Sequence, residues 1–190
     1  MPNPVLPRVA REDMPEVLRQ GYDTAKEVRG DATFFEIGAH APEILDWYHN
    51  SFYSRVFYGG KVDVKIKELL RYRLSMTHGC AFCNKGNRLA AIKAGVTEDQ
   101  FHNIMNESSD VFSDGERAVL KLADQIAIPN MHGNLDKALY DALRPHFSDG
   151  EIFELGVTAA VLTGMAKFLF VFDLVEKEAN CPIVPRQAAE

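Results

Sequence analysis

The chain of 190 residues has few cysteines, one tryptophan and no surplus of positive charge, and each shortage closes off a class of protein. Three cysteines, an odd and sparse set, cannot build the disulfide framework that holds small secreted domains, so the expected setting is reducing and cytoplasmic. Lys plus Arg number 21 against 27 Asp plus Glu, a net charge of -6, which lacks the basic surface that polyanion binding draws on. Nucleic acid is therefore not an expected partner. The opening MPNPVLPRVARED has no apolar run behind positive charge and no small-residue cleavage pattern, so no signal peptide is read. The most apolar stretch, residues 157–175, is broken by Thr158, Thr163, Gly164, Lys167 and Asp173. It reads as a helix buried in a domain or between subunits, with no membrane partner. Convincing alternating strands are missing as well, which leaves an all-α fold. What is present, 46% hydrophobic and 25% charged residues, is ordinary for a globular chain able to bury a core without metal or disulfide support.

Helical patterning starts after a proline-rich opening. Residues 1–12 read as an N-terminal arm, 13–179 as a single all-α domain and 180–190 as a C-terminal tail. Residues 13–29 carry a stripe of Val17, Leu18, Tyr22, Ala25 and Val28 and stop at Gly30. Pro42 opens a helix through Tyr58, where Gly59 and Gly60 stop it. Asp63 caps a third helix through His78, and the pattern resumes over 80–94. Three capping boxes, Thr97 with Gln100, Ser113 with Glu116 and Ser148 with Glu151, predict helices near 97–107, 113–127 and 148–177. A further helix is expected near 135–145, with loops at 129–134 and 180–185.

One motif carries chemistry. Cys80 and Cys83 stand three apart at a helix start, on one side of the first turn, where the helix N-terminus stabilises a thiolate and a reversible disulfide can close. Two buried small residues, or half of a zinc site, are the other readings of the same pair. No second cysteine or histidine pair at ligand spacing follows, and His40, His49, His102, His132 and His146 show none among themselves. No metal is therefore assigned. The aromatic clusters around Phe34, Trp47, Tyr53 and Phe170 read first as core or subunit interface.

Glu68 lies twelve residues before Cys80, giving E-x11-C-x-x-C, with AHAPEILDWYHNSFY before it and NRLAAIKAGVTEDQF after it. This pattern resembles the carboxymuconolactone decarboxylase superfamily, in its alkyl hydroperoxide reductase D-like (AhpD-like) branch. The resemblance spans roughly residues 35–175 and is most specific from Glu68 to Gln100. It implies an AhpD-like multi-helix bundle, a homo-oligomer (trimer, hexamer or dimer), no cofactor, and thiol peroxidase or disulfide reductase chemistry. Peroxides or disulfides would be substrates and a thiol the electron donor. Cys80 and Cys83 match the redox pair, and Glu68 the acid that opens the proton relay. The relay histidine position is Asn87, which departs from the pattern. An amide orients water or donates a hydrogen bond but does not exchange protons near neutral pH. His78, two residues before Cys80, is the candidate substitute base. The helix dipole favours Cys80 as nucleophile and the family relay favours Cys83. The missing histidine also keeps open a non-redox lyase or decarboxylase that uses Glu68 on a small organic acid from aromatic catabolism.

Overall fold

A computed structural model describes residues 1–179 and Cys181. Among them are nine α-helices, a π-helical segment and one isolated bridge, but no strand, in agreement with the all-α expectation. Helix α1 (Glu16–Arg29) buries Leu18 and Ala25 and ends where Gly30 takes φ 75°, a left-handed turn that glycine adopts without a Cβ penalty. Short helices α2 (Thr33–Gly38) and α3 (Pro42–Asp46) follow, and α3 runs straight into the π segment, Trp47–Phe57. Helix α4 (Val64–His78) starts where the Asp63 carboxylate accepts from the Lys65 amide at 2.7 Å. Then come α5 (Ala81–Lys93), α6 (Glu98–His102), α7 (Asp114–Ile126), α8 (Lys137–Leu143) and α9 (Asp149–Val171). All three capping boxes form as the sequence indicates, at the starts of α6, α7 and α9.

Helix α4 is the hub. One side sets Leu70 and Leu74 against Val119 and Leu122 of α7 and Leu155 and Ala159 of α9. Another sets Leu69 and Tyr72 against Ala91, Phe101 and Leu120. A helix buried on this many sides holds its charges only in pairs, because an unpaired buried charge is costly. Lys67, fully buried, donates to Glu154 at 2.8 Å and to the Val56 carbonyl at 2.9 Å. Arg73 forks onto Asp124 at 2.8 and 2.7 Å. A third apolar cluster joins Leu18 and Ala25 of α1, Phe34 and Phe35 of α2 and Leu169 and Phe170 of α9 around Cys80 and Phe82. Cys181 is buried in that same cluster.

Several boundaries differ from the sequence reading. The expected helix 42–58 divides into α3 and the π segment, α2 forms where no helix was read, and α6 stops at His102. Helix α9 ends at Val171, short of 177, because the chain turns back at Asp173 with φ 54° and Leu174 donates to the Leu169 carbonyl. By length and composition α9 could cross a membrane, with mean hydropathy 1.5 over its most apolar window. In the fold its inward residues complete two clusters, while Phe153, Val157 and Val171 stay exposed. The N-terminal arm is tied down by Arg8, which bonds Thr33 and Glu36, and by Asn3 donating to Asp173. The loop and tail read at 180–190 lie outside the described residues, apart from Cys181.

Candidate functional site

The site begins at the joint between α4 and α5. Gly79 reverses the chain with φ 62°, and Cys80 follows in an extended conformation as the residue that caps α5. Its Sγ accepts from the Cys83 amide at 3.2 Å, so this sulfur faces the exposed N–H end of the helix, where negative charge is favoured. The two cysteines are joined as a disulfide, Cα to Cα 5.2 Å. Backbone pairing of Cys80 with Lys177, and of Glu178 with Gly79 at 2.8 Å, holds the turn from the other side. Cys80 is fully buried and Cys83 half-buried, so an external reagent reaches Cys83 first.

Cys80 and Cys83 both line a cavity of about 390 Å³. Phe34 and Phe35 of α2, Tyr48, Tyr53 and Tyr58 of and beside the π segment, and Leu162, Met165 and Leu169 of α9 give it apolar and aromatic walls. The three tyrosines are five residues apart. At about 100° per residue an α-helix would turn successive ones by roughly 140° from each other, off any common face. The wider π winding, with its i to i+5 bonds such as Tyr58 N–H to the Tyr53 carbonyl at 2.8 Å, brings all three to the cavity. Burial keeps the Tyr48 and Tyr58 phenols above their ordinary titration range, so they remain hydrogen-bond donors at neutral pH.

The structure sorts the sequence candidates. Cys80, Cys83, Asn87 and His78 all line the cavity; Glu68 does not. Glu68 is fully buried behind Arg71, whose guanidinium bonds both carboxylate oxygens at 2.7 and 2.5 Å. Burial raises the Glu68 carboxyl, and the Arg71 charge pulls it part of the way back. Arg71 in turn presents its other face to the cavity, over the Phe57 ring at 4.7 Å and 3.4 Å from the Tyr53 hydroxyl. His78 is held in a structural bond. Its Nε2 accepts from the Ile128 amide at 3.1 Å, which puts the ring proton on Nδ1. Burial pushes its pKa down to about 4, so the ring is neutral at physiological pH and a poor proton carrier. Among the described residues no cluster of His, Cys, Asp and Glu is placed to hold a metal ion.

Two lining residues had no role assigned from the sequence: Arg29 was not singled out, and His49 was set aside with the histidines that lack ligand spacing. His49 stacks on Phe35 at 5.7 Å, and burial together with nearby Arg29 lowers its pKa. Arg29, the last residue of α1, lies over the Phe82 ring at 4.6 Å, between the cysteines in sequence. No local sequence pattern announces either one, since α1, the π segment and α5 meet only in the folded chain.

An all-α bundle with a cysteine pair closed at a helix N-terminus, beside an aromatic cavity, defines a class of thiol-bearing helical proteins. Residues 42–125, fewer than half of the chain, match the model of the Carboxymuconolactone decarboxylase family, and the fold around them is AhpD-like. The chain is 33% identical over 92 residues to the uncharacterized protein YdfG of Bacillus subtilis, spanning 47% of this chain and 60% of that one. It is 28% identical over 121 residues to the uncharacterized protein Rv2313c of Mycobacterium tuberculosis, 58% of this chain and 42% of that one. The matched stretches thus span less than two thirds of these relatives. Among solved structures, an AhpD-core, peroxidase-related protein of Ralstonia eutropha superimposes with a TM-score of 0.72 at 16% identity, over 98% of this chain and all of that one (100%). The debrominase Bmp8, solved with 2,3,4-tribromopyrrole, superimposes with a TM-score of 0.71 at 19% identity over 94% of each chain. A putative antioxidant defence protein AhpD of Agrobacterium tumefaciens gives 0.63 at 23% identity, over 71% of this chain and 91% of that one. At these identities the structural likeness defines the fold.

Proposed function

We propose that the chain is a thiol–disulfide oxidoreductase of the thiol peroxidase type, with Cys80 and Cys83 cycling between dithiol and disulfide. The carrying observation is the asymmetry of the pair: Cys83 half-buried on the cavity wall, Cys80 buried with its sulfur on the helix amide. In the reductive half, the Cys83 thiolate attacks an oxygen of an organic hydroperoxide. The O–O bond breaks, the alcohol leaves with a proton, and Cys83 becomes a sulfenic acid. The Cys80 thiolate then attacks the Cys83 sulfur, water leaves, and the disulfide forms. In the resetting half, a donor thiol attacks the more accessible Cys83 sulfur and releases Cys80 as a thiolate, the better leaving group because the helix end stabilises it. A second donor thiol breaks the mixed disulfide. The sum is one hydroperoxide and two thiols to one alcohol, one water and one disulfide.

Peroxidase-related and antioxidant descriptions of two structural neighbours support this reading, as does an aromatic molecule bound in a third. The tyrosine phenols of the lining are the proton donors, and Asn87 can hold a water between them and Cys83. A lyase using Glu68 would need a free carboxylate, and both its oxygens are on Arg71. We place the protein in the cytoplasm, where thiol donors are available, and assign the exposed apolar face of α9 to contact between copies of the chain. Turnover of cumene hydroperoxide with a dithiol donor tests the reading. Cys83→Ser should abolish it, and Cys80→Ser should allow Cys83 oxidation without the disulfide. Wild-type turnover by both variants would refute it.

A further inference from the structure

Arg29, half-buried, stands out among the cations packed inside the fold. Arg71 and Arg73 each have a carboxylate partner, whereas the Arg29 Nε is buried with no hydrogen-bond partner, and among the described residues no carboxylate pairs with its guanidinium. Burial disfavours its charge, and nearby Arg71 adds repulsion. A charge held like this without a counterion is costly unless something else supplies one.

The surroundings are shaped for the guanidinium. Its guanidinium carbon lies over the Phe82 ring, 4.6 Å from the centroid and within reach of a cation–π contact. Gly86 on α5 makes the space: a Cβ there would sit 2.2 Å from Nη2 and 2.4 Å from Nε. Glycine in the interior of a helix weakens it by roughly 0.5–1 kcal/mol relative to alanine, so its presence here has a packing reason. Among the described residues, the lining of the cavity that Arg29 faces contains two arginines and not one aspartate or glutamate. Glu68 neutralises Arg71 from behind. That leaves one uncompensated positive charge inside an aromatic cavity of a chain whose net charge is -6.

We propose that Arg29 is the anion-recognition point of this cavity and selects organic substrates that carry a single carboxylate on an apolar or aromatic body. One free cation matches a monoanion. The guanidinium fork fits a carboxylate with two parallel hydrogen bonds, and the phenyl and phenol walls take the apolar part. The Phe82 contact sets the carboxylate beside the cysteine pair. The proposal rests on the thiol–disulfide reading only in calling the ligand a substrate, since anion binding needs no turnover.

Calorimetric titration of the oxidised full-length protein with benzoate, and with its neutral counterpart benzamide, tests it. Benzoate should bind more tightly than benzamide. Arg29→Gln should weaken benzoate at least about tenfold (about 1.4 kcal/mol) and leave benzamide unchanged. Gly86→Ala retains the charge but displaces the guanidinium, so it should weaken benzoate while leaving the thermal midpoint equal or higher. Equal affinities for the two probes, no benzoate binding at all, or undiminished benzoate binding in Arg29→Gln would overturn the proposal. Should benzoate bind through Arg29 while the cysteines fail to turn over peroxide, the anion site stands and the redox reading falls.

Discussion

His78 makes the stability of this fold depend on pH in a calculable way. Its ring is buried, accepts from the Ile128 amide through Nε2, and has its pKa lowered from 6.5 to about 4 by burial. The unfolded chain therefore binds a proton at this ring below about pH 6.5 that the folded chain refuses until about pH 4. The contribution is fully present above the unfolded value and is lost as the pH falls towards the folded one. Between about pH 7.5 and about pH 5 the loss comes to about 2 kcal/mol, from the ratio of the two binding polynomials at those pKa values. Carboxylates titrate in part of the same window, so the quantity to measure is a difference. His78→Gln keeps an acceptor for the Ile128 amide and removes the titration. Urea unfolding of both proteins across this range should show the wild type losing about 2 kcal/mol more than the variant. A proton NMR titration of the folded wild type should place the His78 ring near 4. Parallel stability curves, or a ring that titrates near 6.5, would refute the assignment of His78 as a buried neutral anchor.

Two further outcomes follow from the site and the surface. Asn87 lines the cavity four residues after Cys83, at the place where a proton-exchanging ring would serve the sulfur. Asn87→His should raise hydroperoxide turnover near neutral pH by at least about tenfold, the low side of what general acid–base help supplies, and an unchanged rate would remove this position from the proton path. Phe153 on α9 is 75% exposed beside exposed Val157. Phe153→Asp should shift the protein to a smaller species in light scattering after size exclusion if that face joins copies of the chain, with the helical circular dichroism unchanged; an unaltered mass would place the interface elsewhere.

The bundle was readable wherever a local rule sets a helix end. The three capping boxes and Gly30 need only a few neighbouring residues to act, and each ends or starts a helix as expected. The cysteine pair was readable for the same reason, its spacing and its helix start being local facts. The π segment was not. Its aromatic run satisfies an α-helical pattern well enough, and only the five-residue spacing of Tyr48, Tyr53 and Tyr58 hints at a wider winding. The family resemblance implies a relay acid at Glu68, but it does not show that Arg71, one turn on, holds both its oxygens. His78 lies close to Cys80 in sequence, and the bond that occupies it comes from Ile128, fifty residues away. Arg29 was invisible for a similar reason: its meaning depends on Gly86 and Phe82 of a helix far along the chain.

The central claim, that Cys80 and Cys83 form the working redox couple of this cavity, is tested most directly by mass spectrometry of the unreduced peptide after one equivalent of an organic hydroperoxide meets the fully reduced protein. Loss of two hydrogens is expected across the peptide that spans Cys80 and Cys83, with Cys181 still a thiol. A pair that stays reduced, while Cys181 or a methionine takes up the oxidant, would contradict the claim.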